Sequence, residues 1–198
     1  AGLEAKFLQG RVVVDVTYFN TDLENEIVTR FLPGFVTTVE NLRDTSTREG
    51  VEVSARWQIF PFLSLGGAYT WLDARDDGGQ PEIRRARNSG RIDASYAFAE
   101  GRGNLTLAAL YNGRAHDIAF ELPFFDQTRV VLGDYWLMTA AASWKLQPGV
   151  EIFGRIENLL DEEYQEVYGF NTPGVAAYGG IRITFGAEET AALAPVLK

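Results

Sequence analysis

Residues 51–59 read VEVSARWQI, and every second side chain is apolar. Val51, Val53, Ala55, Trp57 and Ile59 fall on one face, and Glu52, Ser54, Arg56 and Gln58 fall on the other. Successive side chains of a strand point to opposite sides of the sheet, so this spacing reads as β. The pattern recurs along the chain. Ile92, Ala94, Tyr96 and Phe98 alternate with Arg91, Asp93, Ser95 and Ala97. Trp136, Met138, Ala140, Ala142 and Trp144 alternate with Leu137, Thr139, Ala141, Ser143 and Lys145. Ala177, Gly179, Ile181, Ile183 and Phe185 alternate with Tyr178, Gly180, Arg182 and Thr184. No longer window supports an amphipathic helix.

About nine strands are expected, at 2–8, 11–31, 36–59, 63–73, 90–98, 103–112, 130–146, 150–159 and 177–185. Their connections alternate in length. Gln9-Gly10, Phe60-Pro61-Phe62, Ala99 to Arg102 and Gln147-Pro148-Gly149 are tight. Those around 32–35 and at 74–89, 113–129 and 160–176 are long. Short turns at one end and long loops at the other are the habit of transmembrane β-barrels. Aromatics near strand ends fit the girdles of such barrels, where amphipathic rings meet headgroups. They are Tyr18, Trp57, Phe60, Phe62, Tyr69, Trp71, Tyr96, Phe98, Tyr111, Trp144 and Phe185. The opposite face mixes charges, with Asp15, Glu52, Arg56, Arg91, Asp93, Lys145, Glu151, Arg155, Glu157 and Arg182, as a wet lumen does. The competing architecture is a soluble β-sandwich with a charged exterior.

Composition narrows the function. The 198 residues carry a formal charge of −9, which argues against nucleic acid as a partner. The chain has no cysteine, which excludes disulfides, thiolate zinc sites and cysteine nucleophiles. No run reaches the ~18 apolar residues of a membrane helix. AGLEAKFLQG at the N-terminus has no signal-peptide pattern. An odd number of antiparallel strands leaves the first and last parallel, while single-chain barrels use even numbers and tolerate no open edge in lipid. The chain therefore reads as part of a larger barrel.

The stretch ENLLDEEYQEVYGFNTPG at 157–174, followed by AYGGIRITF, resembles the end of TonB-dependent outer-membrane receptors. GVEVSARW, GGAYTWLDARDD and IRRARNSGRIDASY stand in that family's order and spacing. Within the family the chain is most similar to the vitamin B12 (cobalamin) receptor branch, at YQEVYGFNTPG and IRRAR. The resemblance implies an all-β fold: an antiparallel transmembrane barrel of 22 strands around a plug, of which this chain supplies about the last nine. Residues 1–186 would be barrel and 187–198 a disordered tail. It also implies energised uptake of a scarce nutrient across the outer membrane, cobalamin first and a siderophore or other metal chelate second. The partners would be outer-membrane lipid, the rest of the barrel with its plug, the TonB complex and a small-molecule ligand. No cofactor and no enzymatic activity are expected. By local motif, Arg84, Phe120 and Phe170 resemble ligand-contacting positions, with Phe at two places where the cobalamin branch carries Tyr.

Other candidates weigh less. His116 is the only histidine and has no nucleophile elbow beside it. Asp73, Asp76 and Asp77 lack the spacing of an EF-hand loop and read as a solvated turn. Asp161, Glu162 and Glu163 read as a solvated loop start. Phe124 and Phe125, with Phe120, are loop aromatics suited to recognition.

Overall fold

The computed structural model describes residues 1–32, 36–42, 45–121 and 126–185. Nine strands form one antiparallel sheet in chain order. They are β1 (Gly2–Phe7), β2 (Val12–Leu23), β5 (Ser46–Phe60), β6 (Leu63–Arg75), β7 (Asn88–Phe98), β8 (Gly103–Asn112), β11 (Tyr135–Gln147), β12 (Val150–Glu157) and β13 (Ala176–Ile183). Two further hairpins continue the chain beyond the sheet at its long-loop end. One is β3 (Ile27–Leu32) with β4 (Val36–Asn41), and the other is β9 (Ala115–Glu121) with β10 (Asp126–Leu132). The sheet is an open portion of a barrel wall, with β1 and β13 at its two edges.

Following the register across the sheet shows why the sequence alternates. One row runs Phe7, Val12, Trp57, Leu65, Ala94, Leu107, Ala140, Ile156 and Ala177, apolar on every strand. The adjacent row on the other face runs Lys6, Val13, Arg56, Gly66, Asp93, Ala108 and Thr139. The first row begins at the end of β1 and finishes near the start of β13. The strands therefore tilt across it, as the stagger of a barrel requires.

The apolar face is not buried. Ile92 is 62% exposed, Ile181 65% and Leu3 70%. Among the described residues the buried apolar side chains are Ala74, Ala115, Ala119, Leu132 and Tyr135, all at the long-loop end. A β-sandwich would bury its apolar face against a second sheet. Here no described residue packs a second layer over the apolar face, and hydrocarbon is the solvent that suits it.

Aromatics mark both rims of that face. At the tight-turn end Phe60, Phe62, Tyr96, Phe98 and Trp144 form a chain of ring contacts with centroids 5.2, 5.9, 5.8 and 5.7 Å apart. Arg102 lies over Trp144 at 5.1 Å. A Cβ on Gly103 would meet the Phe98 ring at 2.4 Å, so only glycine lets that ring cover its cross-strand partner. Tyr111 and Trp136 pair at 4.9 Å at the long-loop end. Phe185, expected to close the last strand, stands two residues beyond β13 and is 89% exposed.

Four expected ranges are corrected. The runs 11–31 and 36–59 are each broken in two, because the chain leaves the sheet after Leu23. Asn25 takes a left-handed φ of 56°, and the Leu42 N–H donates to the Glu26 carbonyl at 2.8 Å, closing the root of the first hairpin. The segment 113–129, expected as a loop, contains β9 and most of β10. The run 130–146 is interrupted at Gly133-Asp134. Period-two alternation marks strands but does not say which sheet they join. The main sheet still has nine strands, because the four additional ones form two separate two-stranded sheets. The residues Phe124 and Phe125 and the tail from 187 lie outside the described residues.

Candidate functional site

The long connections converge on one buried carboxylate. Asp117 sits in β9 on the face shared with Ala115 and Ala119, and its side chain has no exposed surface. Its Oδ1 accepts a hydrogen bond from Arg84 Nε at 3.0 Å, and its Oδ2 accepts one from the Tyr168 N–H at 2.7 Å. Arg84 belongs to the connection between β6 and β7, and Tyr168 to the connection between β12 and β13. Burial pushes the Asp117 carboxyl up, but the backbone N–H groups of Tyr168 and Ile118 and the Arg84 guanidinium outweigh it. They hold the carboxyl below the ordinary aspartate range.

Backbone contacts tighten the same junction. The Arg84 N–H donates to the His116 carbonyl at 2.6 Å, and Ile83 bridges His116 in parallel. Arg84 itself takes a left-handed φ of 58°, a conformation unusual for a long side chain. Nearby, Arg129 of β10 donates to the Pro81 carbonyl at 2.7 Å and to Asp76 Oδ2 at 2.8 Å. Arg48, at the top of β5, joins Glu82 at 2.8 Å and Glu26 at 3.4 Å, which ties in the connection after β2.

The last loop is clipped by its own motif. Buried Asn158 accepts the Glu162 N–H at 2.8 Å and donates to the Glu162 carbonyl at 2.9 Å and the Pro173 carbonyl at 3.4 Å. Asp161 accepts the Val175 N–H at 2.9 Å, and Thr172 donates to the Tyr164 carbonyl at 2.7 Å. Against this loop lies a cleft of about 360 Å³, lined by Leu132, Asp134, Glu163, Tyr164, Tyr168 and Asn171. Tyr164 also packs on Tyr135, with ring centroids 4.4 Å apart.

The three expected ligand positions divide accordingly. Arg84 and the loop carrying Phe170 are both joined to Asp117. Phe170 is 70% exposed, two residues from the Tyr168 amide. Phe120 is on β9 but faces away from Asp117, on the side of His116 and Ile118, and is 47% exposed.

Two acidic groups read as solvated are structural. Asp76 accepts the N–H groups of Gly78 and Gln80 besides its pair with Arg129, and Asp161 closes the last loop. Asp73 pairs with Arg75 at 3.1 Å. Among the described residues no group of three or more His, Asp or Glu side chains is placed to hold a metal ion. Sequence reasoning missed Asp117. Its only signal is a carboxylate flanked at i−2 and i+2 by Ala115 and Ala119, side chains small enough to leave room for a partner from another loop.

Comparison with known proteins agrees with this architecture. Residues 1–159 match the family model described as "TonB dependent receptor-like, beta-barrel". The chain is 30% identical over 122 residues to the vitamin B12 transporter BtuB of Photobacterium profundum, covering 61% of this chain and 18% of that protein. It superposes on the ferripyoverdine receptor of the outer membrane of Pseudomonas aeruginosa with a TM-score of 0.74 at 18% identity, covering 92% of this chain and 26% of that one. It superposes on the FrpB iron transporter of Neisseria meningitidis with a TM-score of 0.71 at 12% identity, covering 92% and 30%. The chain thus spans less than a third of the length of each of these relatives. With a lipid-facing apolar wall, a charged inner face and long loops gathered at one end, the chain belongs to the TonB-dependent receptor-like β-barrel family of the outer membrane.

Proposed function

We propose that the receptor containing this chain captures cobalamin at its long-loop end and takes it up in a TonB-dependent step. The observation that carries the reading is the 30% identity with a vitamin B12 transporter. The gathered loops support it, presenting Phe120 and Phe170 to solvent near a fixed guanidinium. In this reading the exposed rings supply apolar contact to the flat corrin, and Arg84 supplies a polar contact at its edge while it braces Asp117. The chain provides wall and loops. The plug, the remaining barrel strands and contact with the TonB complex belong to the rest of the receptor. The reaction class is transport, since the family is one of receptors and transporters.

Titration of the full-length receptor with cyanocobalamin in detergent, against a ferric siderophore as competitor, tests the reading. Saturable cobalamin binding that weakens about tenfold in Phe170→Ala supports it, tenfold being the scale of losing one aromatic anchor. Binding of the ferric chelate with none of cobalamin sinks it and leaves a metal-chelate receptor of the same family.

A further inference from the structure

Arginines collect at one place on the outer wall of this acidic chain. Trp71, Tyr111 and Trp136 stand on the apolar face at its long-loop rim. Strand alternation carries that face on from Trp71 to Asp73 and Arg75, which pair with Glu49 and Thr47. Arg87 lays its guanidinium over the Trp71 ring, 5.5 Å from the centroid. A cleft of about 520 Å³ opens here, lined by Arg75, Arg85, Arg87, Arg114, Tyr111 and His116.

The charges in this cleft do not balance. Asp73 and Asp134 also line it, and they pair with Arg75 at 3.1 Å and Arg114 at 3.3 Å. Arg85 reaches Glu82 only at 3.6 Å, and Glu82 already holds Arg48 at 2.8 Å. Arg87 has no carboxylate partner among the described residues. Four guanidiniums thus face two carboxylates, at the level where headgroups meet the aromatic rim.

A second feature lies directly below. On the same face a groove of about 360 Å³ is lined by Leu65, Ile92, Ala94, Leu107, Ala109 and Met138. It begins two residues beneath Tyr111 and Trp136 on β8 and β11, roughly 7 Å further into the membrane. Alanines at 94 and 109 and glycine at 67 leave it hollow between larger neighbours. A cationic cleft over an apolar groove has the two-part chemistry of a phospholipid-like molecule, not of a free anion. Guanidinium forks match phosphate oxygens, and each basic group near a charged lipid surface adds attraction.

We propose that this face is a lipid site. The arginine cleft holds the phosphate of an anionic headgroup in the leaflet on the long-loop side, and an acyl chain of the same molecule lies in the groove beneath. The site is independent of what the receptor carries, because it faces out of the barrel.

The test uses the full-length receptor in phosphatidylcholine vesicles doped with a bis-phosphorylated glucosamine lipid, with native mass spectrometry counting lipid retained after detergent extraction. Retention should fall about fivefold for each guanidinium removed in Arg87→Gln and in the Arg87→Gln/Arg114→Gln pair, and Arg87→Lys should keep most of it. Ala109→Phe, which fills the groove without touching the charge, should also lower retention. Arg102→Gln at the opposite rim should not. Should the double variant fail to fold, Arg87→Gln and Ala109→Phe carry the same readout. Unchanged retention in both overturns the proposal. Full displacement by inorganic phosphate with no effect of Ala109→Phe overturns it as well, leaving a free-anion site.

Discussion

Asp117 shows how much one side chain can organise at an open surface. Its two oxygens join a loop from each side of the β9–β10 hairpin, and it is fully buried while doing so. Asp117→Asn keeps the shape but removes the charge that both donors require. Hydrogen bonds to a charged group contribute about 2 kcal/mol, so local opening should become easier by that amount. Faster hydrogen exchange at the Tyr168 amide, with the barrel melting temperature little changed, is the expected result. The pH dependence follows from the lowered carboxyl pKa. Unfolded aspartate titrates near ~3.9, so the latch is at full strength above that value and is lost as pH falls through the lower folded pKa. Exchange at Tyr168, corrected for its intrinsic rate, should therefore be flat from neutrality to about pH 5 and rise below about pH 4. Asp117→Asn should abolish that rise.

At the scale of the element, the motif ENLLDEEY is a loop clip. Asn158 makes three hydrogen bonds from a buried amide, which offers a donor and an acceptor side by side on a short stem. Asn158→Ala would leave backbone groups of Glu162 and Pro173 without their partners, at about 1–3 kcal/mol for each group that stays buried. Limited proteolysis should then cut within 160–175 faster than in the parent, with the sheet intact. At the other end of the strands, Gly103→Val forces the Phe98 ring off its partner and breaks the five-ring chain at the rim. Overpacking of this kind costs about 1–3 kcal/mol, to be read as a lower unfolding temperature in detergent.

At the scale of the whole chain, the described residues bury few apolar side chains, and the broad apolar surface of the sheet faces outward. A charge on that face should therefore cost far more than one on the inner face. Ile92→Arg, in the middle of the apolar face, should destabilise the receptor by about 2–4 kcal/mol, the depth-dependent penalty at the midplane of a bilayer. Thr106→Arg, on the inner face of the next strand, should be close to neutral. Denaturant titration of the full-length receptor refolded into lipid vesicles distinguishes the two. Equal penalties would mean that both faces are wet, and the membrane assignment of this wall would fall.

The alternation of apolar and polar residues determined the all-β class and the main strands by itself. The side-chain period of a strand is a local property, and lipid on one face with water on the other writes it directly into residues such as Val51 to Ile59. The unequal connections and the rim aromatics were legible for the same reason: each depends on where a residue stands along its own strand. What only tertiary structure decided is the pairing between distant segments. The run 11–31 looks continuous, yet the chain leaves the sheet after Leu23, because membership of a sheet depends on which neighbour supplies hydrogen bonds. Asp117, Arg84 and Tyr168 are far apart in the chain and carry no shared pattern. Their meeting depends on three loops folding over one another, where burial and charge pairing act through space. The arginine cleft is of the same kind. Single arginines in polar connections are unremarkable until the register sets four of them around one aromatic rim.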